Sequence, residues 1–399
     1  MPKSKKRVSR LFIHGKVWPR RVRLTQMRQK SLFVILSWLS ASAFLLCQVL
    51  AKAPPSGQAQ GDAAQTPPCM PSPQAGGARV PETAGQGQQG RGPAAEQAPR
   101  NLAITAIPGV VSAGGKWTKV WQAAGNSADG IIPDKDGSVL VAQEDYDTVL
   151  KIDANGKSSV SVANAKGIGS LSMERQGRLY GAHRTERPGS TKPDRESIVN
   201  AITLLAPERE TIADKWADGT PLTVRPNDLA ADGTGGAYFT VGCLYYAGPT
   251  GVTVVADNIR TNGIAFSPDD KTLYVTNGGA LVAFDVEGPG MLTNRRDFAT
   301  LLPGSMGDGT AVDSEGRLYV SSNAGVQVFD KTGKYLGVIP TPRGVISVAF
   351  AGPGKKMLYI VGSGAEDENG QPIRQGPQQT AATIYKLPMI AQGLKDRAK

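Results

Sequence analysis

Residues 313–319 read DSEGRLY, from Asp313 to Tyr319: an acid, a glycine, then an apolar pair ending in tyrosine. Variants of the phrase recur as DKDGSVL ending at Leu140, ERQGRLY at Tyr180, DGTGGAY at Tyr238, SPDDKTLY at Tyr274 and GPGKKMLY at Tyr359. An acid followed by glycine marks a tight hairpin turn in which the glycine takes positive φ, and the apolar pair is the strand leaving it. The spacings are 40, 58, 36, 45 and 40 residues, with a mean near 44. Four-stranded propeller blades repeat at roughly 40–45 residues, a period that a two-sheet sandwich lacks. Six copies predict an all-β chain folded as a six-bladed β-propeller. The longest gap holds HRTERPGSTKPDRES, expected to be a loop inserted after the second blade.

Around these phrases, from Trp117 to about Leu387, short β-branched runs alternate with Gly, Asp and Pro and show no sustained helical periodicity. The propeller is therefore expected over residues 101–399. Residues 54–100 are dominated by Pro, Gln, Gly and Ala, with almost no large apolar side chains to offset the entropy of folding, and predict a disordered linker. Before them, Ser31–Leu50 is a run of about 20 uncharged residues, followed by Ala51-Lys52-Ala53. With the basic stretch ahead of it, residues 1–53 predict a signal peptide or an uncleaved membrane anchor, and hence export to the periplasm or beyond, with residues 31–50 as a possible tether. A start at Met27 would shorten the basic arm to that of an ordinary signal.

The net charge of +11 comes from eleven Lys and Arg within residues 1–30, where no acid occurs. The remaining chain sums to zero, so the high pI is no evidence for nucleic-acid binding. A basic arm that binds nucleic acid is the rival reading, but the apolar run that follows the arm argues against it, and no nucleic-acid partner is expected. Of three cysteines, Cys47 lies in the apolar run, Cys69 in the linker and Cys243 in an expected strand, so no disulfide framework and no cysteine metal cluster is expected.

The repeat also serves as a ruler. Eleven residues before the final apolar residue stand Asp129, Asn227 and Asp308 in repeats one, three and five, and twelve before it stands Asn262 in repeat four. Repeat two has Gly169 there, and repeat six has Ser347 nearby. Asp129, Asn262 and Asp308 are each followed by glycine, and Asn227 by Asp228. In a propeller these positions are related by rotation about the channel, so two carboxylates and two amides converge on one axial spot. Such an oxygen cage suits a divalent cation, Ca²⁺, Mg²⁺, Mn²⁺ or Zn²⁺. The alternative is that Asp-Gly and Asn-Gly are ordinary turn dipeptides.

RPNDLAADGTGGAYFT (Arg225–Thr240), TNGIAFSPDDKTLYVTN (Thr261–Asn277) and GDGTAVDSEGRLYVSSNAGVQVFDKTGKYLGVIPTPRG (Gly307–Gly344) together resemble the gluconolactonase/regucalcin family. The resemblance covers about residues 117–390 and is densest over the last three blades. It implies a six-bladed propeller with one divalent metal in the channel. Asn262 matches the family's NG asparagine and Asp308 its DG aspartate, both metal ligands. Asn227 matches an asparagine that contacts substrate or metal, and Arg225 an arginine that in some members contacts substrate. The family's first-blade glutamate is replaced by Asp129, a carboxylate one methylene shorter.

The reaction implied by the resemblance is hydrolysis of a small sugar-type lactone, with Asp308 as general base and Arg225 and Asn227 holding substrate. His183, at the end of GRLYGAH, either lines the pocket or simply closes its strand. Glu144 and Asp145 read as solvated turn acids within reach of the channel. Two other functions stay open: a non-catalytic exported propeller that binds a ligand or partner around a structural cation, and an organophosphate or aryl-ester hydrolase on the same scaffold.

Overall fold

A computed structural model of the chain describes residues 102–123, 128–185, 198–373 and 381–397. The signal or anchor segment (1–53), the linker (54–100) and most of the insertion after the second repeat (186–197) lie outside those residues.

Six small antiparallel sheets follow one another, one for each repeat. The first is β2 (Ile131–Pro133), β3 (Val139–Gln143), β4 (Thr148–Ile152) and β5 (Ser158–Val162); the second is β6 (Ile168–Met173), β7 (Leu179–His183), β8 (Ala201–Ala206) and β9 (Glu210–Ala213). The third has three strands instead of the expected four: β10 (Leu229–Ala231) and two long ones, β11 (Ala237–Gly248) and β12 (Gly251–Thr261). The fourth comprises β13 (Ile264–Phe266), β14 (Thr272–Asn277), β15 (Ala280–Gly288) and β16 (Met291–Thr300). The fifth comprises β17 (Gly307–Val312), β18 (Leu318–Ser322), β19 (Gly325–Phe329) and β20 (Tyr335–Ile339). The sixth joins both ends of the domain: β21 (Val345–Ala351), β22 (Met357–Ser363) and β23 (Ala382–Pro388) are completed by β1 (Thr118–Gln122), with Thr118 opposite Lys386.

The innermost strands β2, β6, β10, β13, β17 and β21 each touch the next, and β21 touches β2, so the ring closes. The fold is a six-bladed β-propeller, and closure leaves its inner sheet edges without exposed ends. Every repeated phrase is the hairpin between the first and second strands of a blade. In the fifth blade, Asp313 Oδ1 accepts the N–H groups of Glu315 (2.9 Å) and Arg317 (3.0 Å), and Gly316 takes φ 81°. In the fourth blade Asp270 takes that role without glycine, at φ 62°.

The tyrosines ending the phrases (Tyr180, Tyr238, Tyr274, Tyr319 and Tyr359) are all buried. The apolar core lies between blades: Ile132, Leu140 and Val149 of the first pack against Leu171 and Leu179 of the second. The segment before β1 belongs to this core, because Ile104, Ile107, Val110 and Val111 are buried against the fifth and sixth blades.

One expectation is overturned. Cys243, in β11, is disulfide-bonded, and its partner lies outside the described residues.

Candidate functional site

Asp129, Asn227, Asn262 and Asp308 all stand at or just before the start of an inner strand, at one end of the channel. The glycines that follow three of them are not turn glycines, since Gly130, Gly263 and Gly309 do not take positive φ. They are needed for close approach between neighbouring inner strands. A Cβ on Gly130 would stand 2.8 Å from Ser170 Cα of the second blade. On Gly263 it would stand 2.0 Å from the Asp308 carbonyl oxygen, and on Gly309 it would stand 2.8 Å from Ser347 Oγ. Gly307 is equally confined, 2.7 Å from Thr276 Cγ2, so Asp308 is flanked on both sides by positions with no room for a side chain.

The ring is linked by polar contacts between blades. Asn227 Nδ2 donates to Asn262 Oδ1 at 2.6 Å. The Asn262 backbone is fixed by its N–H to Thr276 Oγ1 (2.9 Å), and its carbonyl accepts from Thr240 Oγ1. Beneath them the buried carboxylate of Asp228 ties three blades together, accepting from Ser170 Oγ (2.7 Å), Leu229 N (3.0 Å) and Ile264 N (3.3 Å).

The second blade contributes the largest departure from expectation. Gly169 leaves its ring position without a side chain, and Arg184, just beyond the end of β7, fills the space. A Cβ on Gly169 would fall 2.1 Å from Arg184 Nε. Arg184 Nη1 donates to Asp129 Oδ2 at 2.7 Å and to Glu144 Oε2 at 3.1 Å, and Nη2 donates to the Asn227 carbonyl at 2.7 Å. Its side chain is only 2% exposed. Burial alone would lower the arginine's pKa, but Asp129 and Glu144 outweigh it and raise the group above its ordinary value. Glu144 is therefore a member of the site rather than a solvated turn acid, and it also pairs with Arg225 Nη2. Arg225 Nε donates to the Thr185 carbonyl at 2.7 Å, and the side chain is 24% exposed at the mouth.

His183 is not drawn in by any of these bonds. Nδ1 lies 2.5 Å from the Lys166 carbonyl and Nε2 lies 2.7 Å from Thr203 Oγ1, so both ring nitrogens are used to close the second blade. Burial holds its pKa below the ordinary histidine value. The signal that would have found Arg184 was the glycine at a ring position together with an arginine at the end of the adjoining strand.

Among the described residues no three acidic, histidine or cysteine side chains gather as a metal cluster. Asn227, Asn262 and Asp308 do place amide and carboxylate oxygens on three successive blades, the type of donor that a hard divalent cation takes, with Asn262 Oδ1 accepting from Asn227 and Asp129 ion-paired to Arg184.

Fold and site define a class: closed six-bladed propellers with an oxygen-rich mouth at the head of the inner strands. The family model described as SMP-30/gluconolactonase/LRE-like region matches residues 160–364, just over half of the chain, and the chain belongs to that family. Among curated relatives, lactonohydrolase oryH of Aspergillus oryzae is 34% identical over 142 residues, 29% of this chain and 30% of that protein. Lactonase drp35 of Staphylococcus saprophyticus is 26% identical over 242 residues, 55% of this chain and 71% of that protein. The chain thus spans about a third of the first fungal relatives and most of the staphylococcal one. In structure it is similar to a gluconolactonase of Xanthomonas campestris (TM-score 0.56, 24% identity, covering 74% of this chain and 96% of that one). It is also similar to regucalcin of Agrobacterium tumefaciens, described as a calcium-binding protein (TM-score 0.51, 18% identity, 68% and 92%).

Proposed function

We propose that this chain is an exported hydrolase that opens a small, hydroxylated lactone at the mouth formed by Asn227, Asn262, Asp308 and Arg225. The observation that carries the reading is Asp308: a partly exposed carboxylate at the head of an inner strand, held between two confined glycines, beside the asparagine pair. Lactonases and lactonohydrolases among the relatives support the same chemistry.

A divalent cation held by Asn227, Asn262 and Asp308 would supply polarisation of the lactone carbonyl. Asp308 takes a proton from the attacking water through an oxygen not engaged with that cation. The water oxygen bonds to the carbonyl carbon, the ring C–O bond breaks, and the released alkoxide takes the proton back from Asp308 to give the hydroxy acid and restore the carboxylate. Arg225, fixed by Glu144 and the Thr185 carbonyl, presents a guanidinium to substrate hydroxyls, which favours a polar lactone over an aryl ester.

Export is supported by the apolar run 31–50 behind a basic arm and by the disulfide at Cys243, a bond that persists in oxidising compartments. The test is hydrolysis of aldonolactones by the purified protein, followed by pH-stat after chelation and again after adding Ca²⁺, Mg²⁺, Mn²⁺ or Zn²⁺. Turnover restored by one cation supports the reading. No turnover with any of them, while a cation still raises the melting temperature, favours the binding propeller.

A further inference from the structure

We infer that Arg184 is a resident cation of this channel: it occupies the slot left open by Gly169, takes Asp129 and Glu144 as its partners, and confines any divalent ion to Asn227, Asn262 and Asp308. The first support is position. The ring has six places, and the second blade's place carries no side chain of its own; the guanidinium stands there instead, against the Gly169 backbone. The second is commitment. Nη1 binds both carboxylates of the first blade, and Nη2 binds the carbonyl of the third-blade asparagine, so the group spans from one neighbouring blade to the other.

The third support is charge. The guanidiniums of Arg184 and Arg225 match the carboxylates of Asp129 and Glu144 one for one. A divalent ion approaching Asp129 would meet a buried, fixed positive charge 2.7 Å from the oxygen it needs, and like charges at such distances repel. Swinging Arg184 aside would not relieve this, because a buried arginine stripped of its carboxylates costs more than the pair gains by staying intact. The shortened first-blade carboxylate has a role in this arrangement: an aspartate in place of a glutamate leaves space for the guanidinium.

This inference rests on the same mouth as the proposed reaction, but its test contains no substrate, so lactone hydrolysis and the resident cation can fail separately. Ca²⁺ and Mn²⁺ are titrated into the full protein by calorimetry, with wild type, Asp129→Asn, Arg184→Met and the double variant compared. Affinity at oxygen sites rises with the number of charged ligands, so Arg184→Met is expected to bind at least about tenfold more tightly, by releasing Asp129 and Glu144. Asp129→Asn alone is expected to leave affinity within about twofold, and the double variant to lose the gain. A tenfold loss from Asp129→Asn would show that Asp129 ligates the ion in the native site, and would overturn the inference. So would a folded Arg184→Met that binds no better than wild type, or an absence of binding in both. Melting in chelator gives a second readout that does not need Arg184→Met to fold. Asp129→Asn must lower the melting temperature, because it strips a partner from a buried guanidinium. An unchanged or raised value, the result expected when a carboxylate is removed from an empty oxygen cage, also overturns it.

Discussion

At the level of single residues, Asp308 and Gly263 carry different parts of the site although they touch. Asp308→Asn keeps the size and removes the base. It is expected to lower kcat for lactone opening by about 10²–10⁴-fold, with the urea midpoint little changed, and kinetics alongside urea unfolding checks this. Gly263→Ala does the reverse. Its added methyl would stand 2.0 Å from the Asp308 carbonyl, which is backbone and cannot move alone, so a loss of about 1–3 kcal/mol in urea unfolding is expected together with reduced turnover. His183 supplies the pH dependence. Burial depresses its folded pKa below its unfolded value, so the unfolded chain binds the extra proton first. The stability it contributes is complete above about pH 6.5 and falls as the pH drops from there toward the folded value. His183→Gln, which loses the ring's two contacts, should cost about 1–2 kcal/mol at pH 8 and less at pH 5, as melting curves across that range will read. A constant difference across the range would remove His183 as the titrating group.

Within the elements, the hairpin phrases were legible in the sequence because everything they require is local: an acid to accept turn N–H groups, a residue for positive φ, and an apolar pair for the strand. The ring residues were legible for a related reason, since an in-register repeat converts sequence spacing into rotation about an axis. Arg184 was not. It lies 55 residues from Asp129 and 43 from Asn227, and its place is set by what Gly169 lacks, a signal that no turn phrase carries and that shows only when the missing ring side chain is read together with the strand end beside it. The third blade likewise escaped, because β11 and β12 run for 12 and 11 residues and that length depends on their pairing with each other rather than on a turn phrase. The other end of the channel was equally silent. There Leu394 and Arg397, beyond β23, close a cavity between inner strands β2, β13, β17 and β21. Arg397 donates to Asp270 Oδ1 at 2.5 Å and to the Ala231 carbonyl, and lies 4.3 Å from the centre of the Phe266 ring. Arg397→Ala is expected to cost about 2 kcal/mol in urea unfolding, since Asp270 retains solvent and Arg175, while lactone opening at the far mouth continues. Loss of hydrolysis in a folded Arg397→Ala protein would mean that the two ends of the channel are coupled.

Over the whole molecule, a propeller is stable only as a closed ring, because each blade buries its apolar faces against its neighbours rather than within itself. Closure here is made by the segment that precedes the first repeat. β1 pairs with β23 as the outer strand of the sixth blade, Trp117 Nε1 donates to the Pro340 carbonyl at 2.7 Å, and Ile104, Ile107, Val110 and Val111 are buried. At about 1.5–3 kcal/mol for each large aliphatic side chain, these four alone contribute on the order of 6 kcal/mol or more. That is comparable to the whole net stability of a domain, roughly 5–15 kcal/mol. Removing residues up to Gln122 should therefore abolish the cooperative melt rather than merely lower its midpoint, leaving a broad, probe-dependent transition when circular dichroism and tyrosine fluorescence are followed together. The site should fail with it, although every residue of the mouth is retained, because Asp129 and Ser347 sit on blades that meet only when the ring is shut. A truncated chain that still melted in one sharp step within about 5 °C of the parent would show that contacts among the inner strands hold the ring unaided, and that β1 and the segment before it are an outer cover rather than the clasp.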